Sequence, residues 1–359
     1  MTETRLHIFK DEHVYNIALL KLFATEFSMQ DHRFIFLTKP SGSLRKYFPG
    51  QIVHYPGIKG VLKAIFLARQ AKTIYFHSLP MGPQVMLWAM FSSIFKKSVW
   101  IYWGADIYAY RNRFKSLKHI IYHWCRKSVI RKIPDIAGFL EGDFRIITRV
   151  YKTKARYHQV VYPIPAWFEL IENDYPEIKK EGKSTLNVLL GNSASKTNLH
   201  LEALSILSRY NQENLAILCP LSYGIKQKSY LQEVISAGKN FFGDRFRPLT
   251  EFMDPARYQE LLNGTDIAVM NHNRQEALGN IISLLYLGKK VYLKQDTSSF
   301  EYFRHLEVKI YTIEELQHQS FEEFSAINRA ELEQNAPILK RELGMDQYVK
   351  CWKTILTIQ

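Results

Sequence analysis

The stretch LNVLLGNSASKTNLHLEAL, Leu186 to Leu204, decides how the rest of the chain is read. An apolar run from Leu186 to Leu190 breaks at Gly191 into small polar residues, then resumes with Leu199, Ala203, Leu204 and Leu207 at helical spacing. The pattern predicts a strand, a tight loop and a helix. Gly191 lets the backbone turn and approach a ligand closely, and Asn192, Ser193, Ser195 and Thr197 put donors beside a helix start whose first N–H groups lack internal partners. Such a corner suits a phosphate or diphosphate. The same residues also fit an ordinary strand-to-helix turn capped by Ser195 or Thr197.

The alternation extends in both directions. In the first half, strands are expected at Leu6 to Phe9, Phe34 to Thr38, Thr73 to Phe76, Val99 to Trp103 and Ile136 to Phe139, with helices near 14–29, 58–70, 82–95 and 113–131. In the second half, strands are expected at Leu186 to Leu190, Leu215 to Cys219, Asn240 to Phe242, Ile267 to Met270 and Lys290 to Leu293. Alternating strands and helices imply parallel sheets, and 359 residues exceed what one core usually supports. The expected class is α/β, with two Rossmann-like doubly wound domains facing a cleft. An N-terminal domain would span 1–165 and a C-terminal domain 185–340. The proline-bearing, acidic segment 166–184 would link them, and a C-terminal helix in 341–359 would pack back on the first domain.

Charge divides the chain unequally. Residues 1–165 hold 26 Lys and Arg against 9 Asp and Glu, whereas residues 166–359 hold 22 against 25. No carboxylate occurs from His32 to Ala105, and RNRFKSLKHIIYHWCRKSVIRK, Arg111 to Lys132, has eight cations and no acid. Within it, Phe114, Leu117, Ile120, Ile121 and Trp124 recur at spacings of three and four, as on a basic amphipathic helix. That reads as a surface for anionic lipid, where each cation contributes on the order of 1 kcal/mol. A core-packing helix with a basic solvated face is the plainer alternative. Nucleic acid is not the expected partner, because no zinc spacing, aromatic RNA-binding motif or helix-turn-helix accompanies the charge.

Cys125, Cys219 and Cys351 lie far apart and read as buried thiols of a reducing compartment. The N-terminus lacks a signal-like apolar stretch, and the run Val85 to Ile94 is too short to span a bilayer. A cytoplasmic protein is expected, soluble or at most peripheral on a membrane. Met81, Met86 and Met90 read as core or as an apolar surface.

Other motifs follow the remaining strands. Cys219-Pro220-Leu221-Ser222-Tyr223-Gly224 is a turn with an aromatic able to stack or hydrogen-bond. DIAVMNHNRQEALGN, Asp266 to Asn280, is a strand, a polar loop and a second helix start. There Gly279 and Asn280 would offer N–H groups, Arg274 a cation and Glu276 a carboxylate for sugar hydroxyls. In the basic half, His77 and Asp106 each follow a strand. Glu141 and Asp143 read as turn residues.

Together WIYWGADIY (Trp100 to Tyr108), LLGNSASKTNLH (Leu189 to His200), PLSYG (Pro220 to Gly224) and Asp266 to Asn280 resemble the bacterial 4-acetamido-4,6-dideoxygalactosyltransferases, which add the third sugar of enterobacterial common antigen. The resemblance spans nearly the whole chain. It implies a GT-B glycosyltransferase taking a dTDP-sugar donor and a polyprenyl-diphosphate-linked oligosaccharide acceptor at the cytoplasmic face of the inner membrane. On it, Gly191, Asn192, Ser193, Ser195, Gly279, Asn280 and Arg274 would hold the donor diphosphate. Ser222, Tyr223 and Gly224 would lie near thymine or ribose. Asp106, then His77, would be the base for the acceptor hydroxyl. No resident cofactor and no metal are expected, since no DxD triplet or zinc spacing is present. Asn280 stands where the family pattern has Thr, a departure that bears on which sugar is carried. The other readings are a different transferase on this scaffold, such as a polysaccharide pyruvyltransferase, and a non-catalytic basic module binding nucleic acid or anionic polymer.

Overall fold

The structure, a computed structural model, describes residues 4–12, 14–40, 44, 48–80, 84–112, 116–164, 167, 170–171, 185–224 and 227–358. The chain divides into two compact units, Met1–Pro165 with Met345–Gln359, and Ala166–Gly344. Most of the expected linker 166–184, together with Met81, Phe114 and the cations Arg113 and Lys115, falls outside the described residues. Trp167, Leu170 and Ile171 of that segment are buried, and Trp167 Nε1 donates to Leu343 O at 2.8 Å within the second unit.

The first unit is built on seven parallel strands: β1 (Arg5–Phe9), β2 (His32–Phe36), β3 (Ile52–His54), β4 (Thr73–His77), β5 (Ser98–Ile101), β6 (Asp135–Gly138) and β7 (Arg156–Gln159). Their order is β3-β2-β1-β4-β5-β6-β7. Register pairs Phe9 with Phe36 and His77, and Phe36 with His54. Residues paired in this way point to the same face of a sheet. The rings therefore stack across the carboxyl edge, His77 on Phe9 at 3.9 Å, Phe9 on Phe36 at 4.8 Å and Phe36 on His54 at 5.4 Å. One layer deeper, Tyr75, His7, Phe34 and Phe48 form a second row. Phe23 of the helix Val14–Glu26 and Trp352 of the helix Met345–Leu356 close over these rings, and Trp352 Nε1 donates to Val161 O at 2.9 Å. The other face packs Leu6, Ile8, Ile74, Phe76 and Trp100 against Val61, Ala64, Ile65, Trp88 and Val129.

The second unit has six parallel strands: β8 (Leu186–Leu190), β9 (Leu215–Pro220), β10 (Phe246–Leu249), β11 (Ile267–Met270), β12 (Lys290–Leu293) and β13 (Tyr311–Thr312), in the order β10-β9-β8-β11-β12-β13. Both sheets reverse direction beside their first strand, between β1 and β4 and between β8 and β11. Ligands in doubly wound sheets gather at that switch point, outside the carboxyl ends of the strands.

One expected strand is overturned. Asn240 to Phe242 closes the helix Lys228–Phe242, and the strand follows at Phe246–Leu249. Tyr230, Val234, Gly238 and Phe242 are buried at intervals of four, a helical period that outweighs a three-residue apolar run. Gly238 lets Phe246 pack directly on this helix, since a Cβ there would meet the Phe246 ring at 2.5 Å. Glu141 and Asp143 are not in a turn but in the first turn of the helix Glu141–Tyr151, where carboxylates favour the helix dipole; Asp143 also accepts from Tyr108 Oη at 3.1 Å. The three cysteines are buried and free. Among the described residues, no helix is long and apolar enough to cross a membrane.

Candidate functional site

In the second unit, three loops meet at the carboxyl edge around the switch point. The loop after β8 turns at Gly191, whose φ is +66°, and Gly191 N donates to Val269 O of β11 at 3.0 Å. A side chain at Gly191 is excluded twice. The conformation is one L residues rarely adopt, and a Cβ would lie 2.6 Å from Asn198 Oδ1 and 2.8 Å from His200 Nε2. Asn198, fully buried, organises the loop by accepting from Asn192 N at 2.8 Å and donating to Ser193 Oγ at 3.2 Å. From the start of the loop after β11, the buried His272 reaches Asn192 Oδ1 and Asn198 Oδ1 through Nε2, at 3.2 and 3.1 Å.

The loop after β9 joins through Ala194 N, which donates to Tyr223 O at 2.7 Å. Gly224, with φ +76°, sits against Ser193, where its Cβ position would be 3.5 Å from that hydroxyl. The Tyr223 ring is exposed beside them. From the loop after β11, Asn273 N donates to Thr197 O at 2.9 Å, and Glu276 accepts from Thr197 Oγ1. Arg274 Nε lies 3.4 Å from Glu276 Oε2. The chain then enters the helix Leu278–Tyr286 through Ala277, itself at φ +56°. The first-turn N–H groups of such a helix, those of Gly279 and Asn280 included, are not consumed by the helix itself. The Asn280 side chain donates to Tyr258 Oη at 2.8 Å.

Gly191, Asn192, Ser193, Ser195, Ser222, Tyr223, Gly224, Arg274 and Glu276 thus fall in one set of touching loops, with Gly279 and Asn280 opening the helix that continues the third. Their side chains divide the work. The Ser193 hydroxyl is turned into the loop, and Ser195 Oγ engages Thr197 Oγ1 at 2.7 Å, so these two shape the corner. The supporting residues Asn198, His200, His272, Tyr230 and Tyr258 received no role from the sequence. For Asn198 and His200 the signal was present in the Asn-x-His spacing; for the others it was not. Burial lowers the His272 pKa to about 3, assisted by the Arg274 charge. Burial likewise takes His200 to about 4, with His272 adding to the shift. Both are neutral in the folded unit, so the positive charge of these loops comes from Arg274, paired with Glu276, and from Lys196, which lies over the Tyr230 ring.

In the first unit, the carboxyl edge holds Asp106 and His77 in fully engaged settings. Asp106 is buried; its Oδ2 accepts from Leu79 N at 3.1 Å and Trp100 Nε1 at 2.9 Å, and its Oδ1 accepts from Trp103 N at 2.8 Å. Burial raises its pKa, opposed by the nearby Arg126 charge and these three donors. Arg126, also buried, donates to Asp106 O at 2.7 Å. His77 shares Nε2 with His7 at 2.9 Å and Nδ1 with Tyr162 Oη, and His7 passes the chain on to His32 at 2.8 Å. A third group went unnoticed in the sequence. Glu12, after β1, holds His54 Nε2, at the end of β3, at 2.5 Å, while His54 Nδ1 is buried and has no partner among the described residues. Forty-two residues separate the pair, and only the parallel order β3-β2-β1 brings them together.

Solved structures confirm the architecture. The Anabaena protein Alr3699/HepE, determined in complex with UDP and glucose, superposes with a TM-score of 0.69 at 12% identity, over 99% of this chain and 100% of that one. A glycosyltransferase from Rickettsia africae superposes with a TM-score of 0.62 at 12% identity over the whole of both chains. WaaG, a glycosyltransferase of lipopolysaccharide biosynthesis, gives 0.59 at 12% identity over 99% of this chain and 100% of that one. At these identities the likeness is one of fold, and the fold is GT-B. The sequence itself matches the 4-alpha-L-fucosyltransferase family, glycosyl transferase group 56, from residue 4 to residue 358, and the chain belongs to that family of glycosyltransferases.

Proposed function

We propose that this glycosyltransferase moves 4-acetamido-4,6-dideoxygalactose, or a close amino-dideoxy sugar, from a dTDP donor to a polyprenyl-diphosphate-linked oligosaccharide of cell-surface polysaccharide, at the cytoplasmic face of the inner membrane. The observation that carries the reading is the corner at Gly191, where a positive-φ glycine, a helix start at Leu278 and Arg274 surround one switch point. Bond breaking puts negative charge on the leaving diphosphate. The Arg274 guanidinium and oriented N–H groups near Gly279 and Asn280 stabilise that charge as it develops, which is the role a metal would otherwise fill. Tyr223 stacks on the thymine, and Glu276 accepts from sugar or ribose hydroxyls. Among the described residues His54 Nδ1 has no partner whereas Asp106 and His77 are engaged, so we assign the acceptor's proton to His54, oriented by Glu12, and give Asp106 and His77 positioning roles.

Thermal unfolding with a panel of nucleoside diphosphates tests the donor assignment. dTDP is expected to raise Tm by several degrees, unchanged by EDTA, and Arg274→Ala is expected to weaken its binding by about tenfold. Equal shifts from UDP, GDP and dTDP would remove the thymidine assignment. No shift from any of them would remove the donor site.

A further inference from the structure

Three helices of the first unit carry large apolar side chains on their outer surfaces. On Gly57–Gln70, Ile58, Leu62 and Phe66 are exposed four residues apart, while Val61, Ala64, Ile65 and Ala68 fill the core. Gln84–Met90 exposes Met86 and Met90 at the same spacing. On Leu117–Ile130, the face made by Leu117, Ile120, Ile121 and Trp124 points outward, and Cys125, Arg126, Val129 and Ile130 are buried instead. The core-packing alternative for this helix therefore does not hold. The helix Gln84–Met90 packs against both of the others, so the three stripes share one side of the unit. Phe66 is 61% exposed, Met90 75% and Trp124 72%. Scattered single apolar residues are normal on a surface; neighbouring stripes on three packed helices mark a binding face.

Charge selects the occupant. None of the three helices contains an Asp or Glu, and Lys59, Lys63, Lys118 and Lys127 stand among the apolar positions. A second copy of this chain docked face to face would set lysines against lysines, since a two-fold contact pairs the same patch with itself. Nucleic acid would use the lysines and leave Phe66, Met90 and Trp124 without purpose. An anionic bilayer satisfies both components, phosphates meeting the ammonium groups while the apolar side chains leave water.

We propose that Gly57–Gln70, Gln84–Met90 and Leu117–Ile130 form one face that lies on an anionic lipid bilayer, with Phe66, Met90 and Trp124 entering the acyl boundary and the four lysines meeting headgroup phosphates. The proposal gives the membrane-borne acceptor reading a specific surface and rests on that reading for its purpose. It also makes attachment dependent on two separable forces. Raising salt weakens the lysine contribution and leaves the apolar one.

The test is co-sedimentation with vesicles of phosphatidylcholine, with and without phosphatidylglycerol. The chain is expected to bind the anionic vesicles at least about tenfold better. The triple variant Phe66→Ser, Met90→Ser, Trp124→Ser is expected to lose about tenfold or more at any salt concentration, and Lys59→Gln with Lys63→Gln and Lys118→Gln only at low salt. All six positions lie outside the core, so both variants should keep the parent Tm and its shift with dTDP. Vesicle binding by the parent that neither variant reduces would overturn the proposal, as would binding to neither vesicle. Dimerisation abolished by the triple variant would hand the face to a second copy, and tight duplex binding lost with the lysine variant alone would hand it to nucleic acid. Vesicle binding with no response to any nucleotide would remove the donor reading and leave this face standing.

Discussion

The two sheets reverse beside their first strand in the same way, yet their carboxyl edges are built on opposite principles. In the first unit, side chains hold the edge. Asp106 gathers three donors, one from β5 and two from the loops after β4 and β5, and stacked rings run from His77 through Phe9 and Phe36 to His54. In the second, Asn198 and His272 brace loops that the backbone turns sharply: Gly191, Leu199, Gly224 and Ala277 all take positive φ around the switch point, where the first edge has Ser78. The first edge is aromatic and closed over by Trp352, whereas the second is made of tight turns whose N–H groups are largely spent on neighbouring loops, such as Gly191 N on Val269 O and Ala194 N on Tyr223 O. One topology thus supports two recognition modes, and the loops choose between them.

The largest expected effect uses the histidines to set the units apart. Burial holds His7 and His77 well below the ordinary imidazole range and takes His32 to about 4; the second unit has His200 at about 4 and His272 at about 3. Each folded value lies below the unfolded one of about 6.5, so the unfolded chain takes up protons first. Stability is therefore complete above about pH 6.5 and falls as pH drops toward 4, by about 3 kcal/mol for His32 alone. The first unit couples three such groups in one hydrogen-bonded chain, where each neutral ring donates once and accepts once, so it should open before the second. Hydrogen exchange followed in each unit between pH 7 and pH 4.5 reads this directly; earlier loss in the second unit would break the comparison.

Next in size is Asp106→Ala. It leaves Leu79 N, Trp100 Nε1 and Trp103 N buried without acceptors and removes the carboxylate whose charge faces Arg126. At about 1–3 kcal/mol for each unsatisfied donor, a loss of about 3–5 kcal/mol is expected in denaturant unfolding of the first unit. A catalytic defect with unchanged stability would instead restore Asp106 as the base.

The central strands were legible because both faces of a parallel sheet are buried, which makes their sequences continuous apolar runs such as Leu186 to Leu190. The edge strands were not. Ile52–His54 and Tyr311–Thr312 are two or three residues long, and Arg156–Gln159 has no fully buried residue, so no local pattern marks them. The basic helix was found with its apolar face identified, but periodicity cannot say whether such a face meets core or solvent. For the site, the Gly-Asn-Ser corner and the Arg274 loop could be read because each follows a strand. The Glu12–His54 pair and the support from His272 could not, because strand order rather than spacing joins them.

The smallest effect on stability tests the backbone half of the comparison. Gly191→Ala places a methyl group 2.6 Å from Asn198 Oδ1 in a conformation that already disfavours it, and about 2 kcal/mol of destabilisation is expected. Gly57 provides the contrast. It has φ +70° but open space around its Cβ position, so Gly57→Ala should cost only about 1 kcal/mol, the conformational part alone. The two variants should separate more widely in dTDP binding than in Tm. Displacing Asn198 and His200 spreads to Asn192, Ser193 and His272, whereas Gly57 belongs to the first unit. Calorimetric unfolding with and without dTDP gives both quantities. If Gly191→Ala kept the nucleotide shift while losing the expected stability, the glycine would be a structural turn, and recognition would pass to Tyr223 and Arg274.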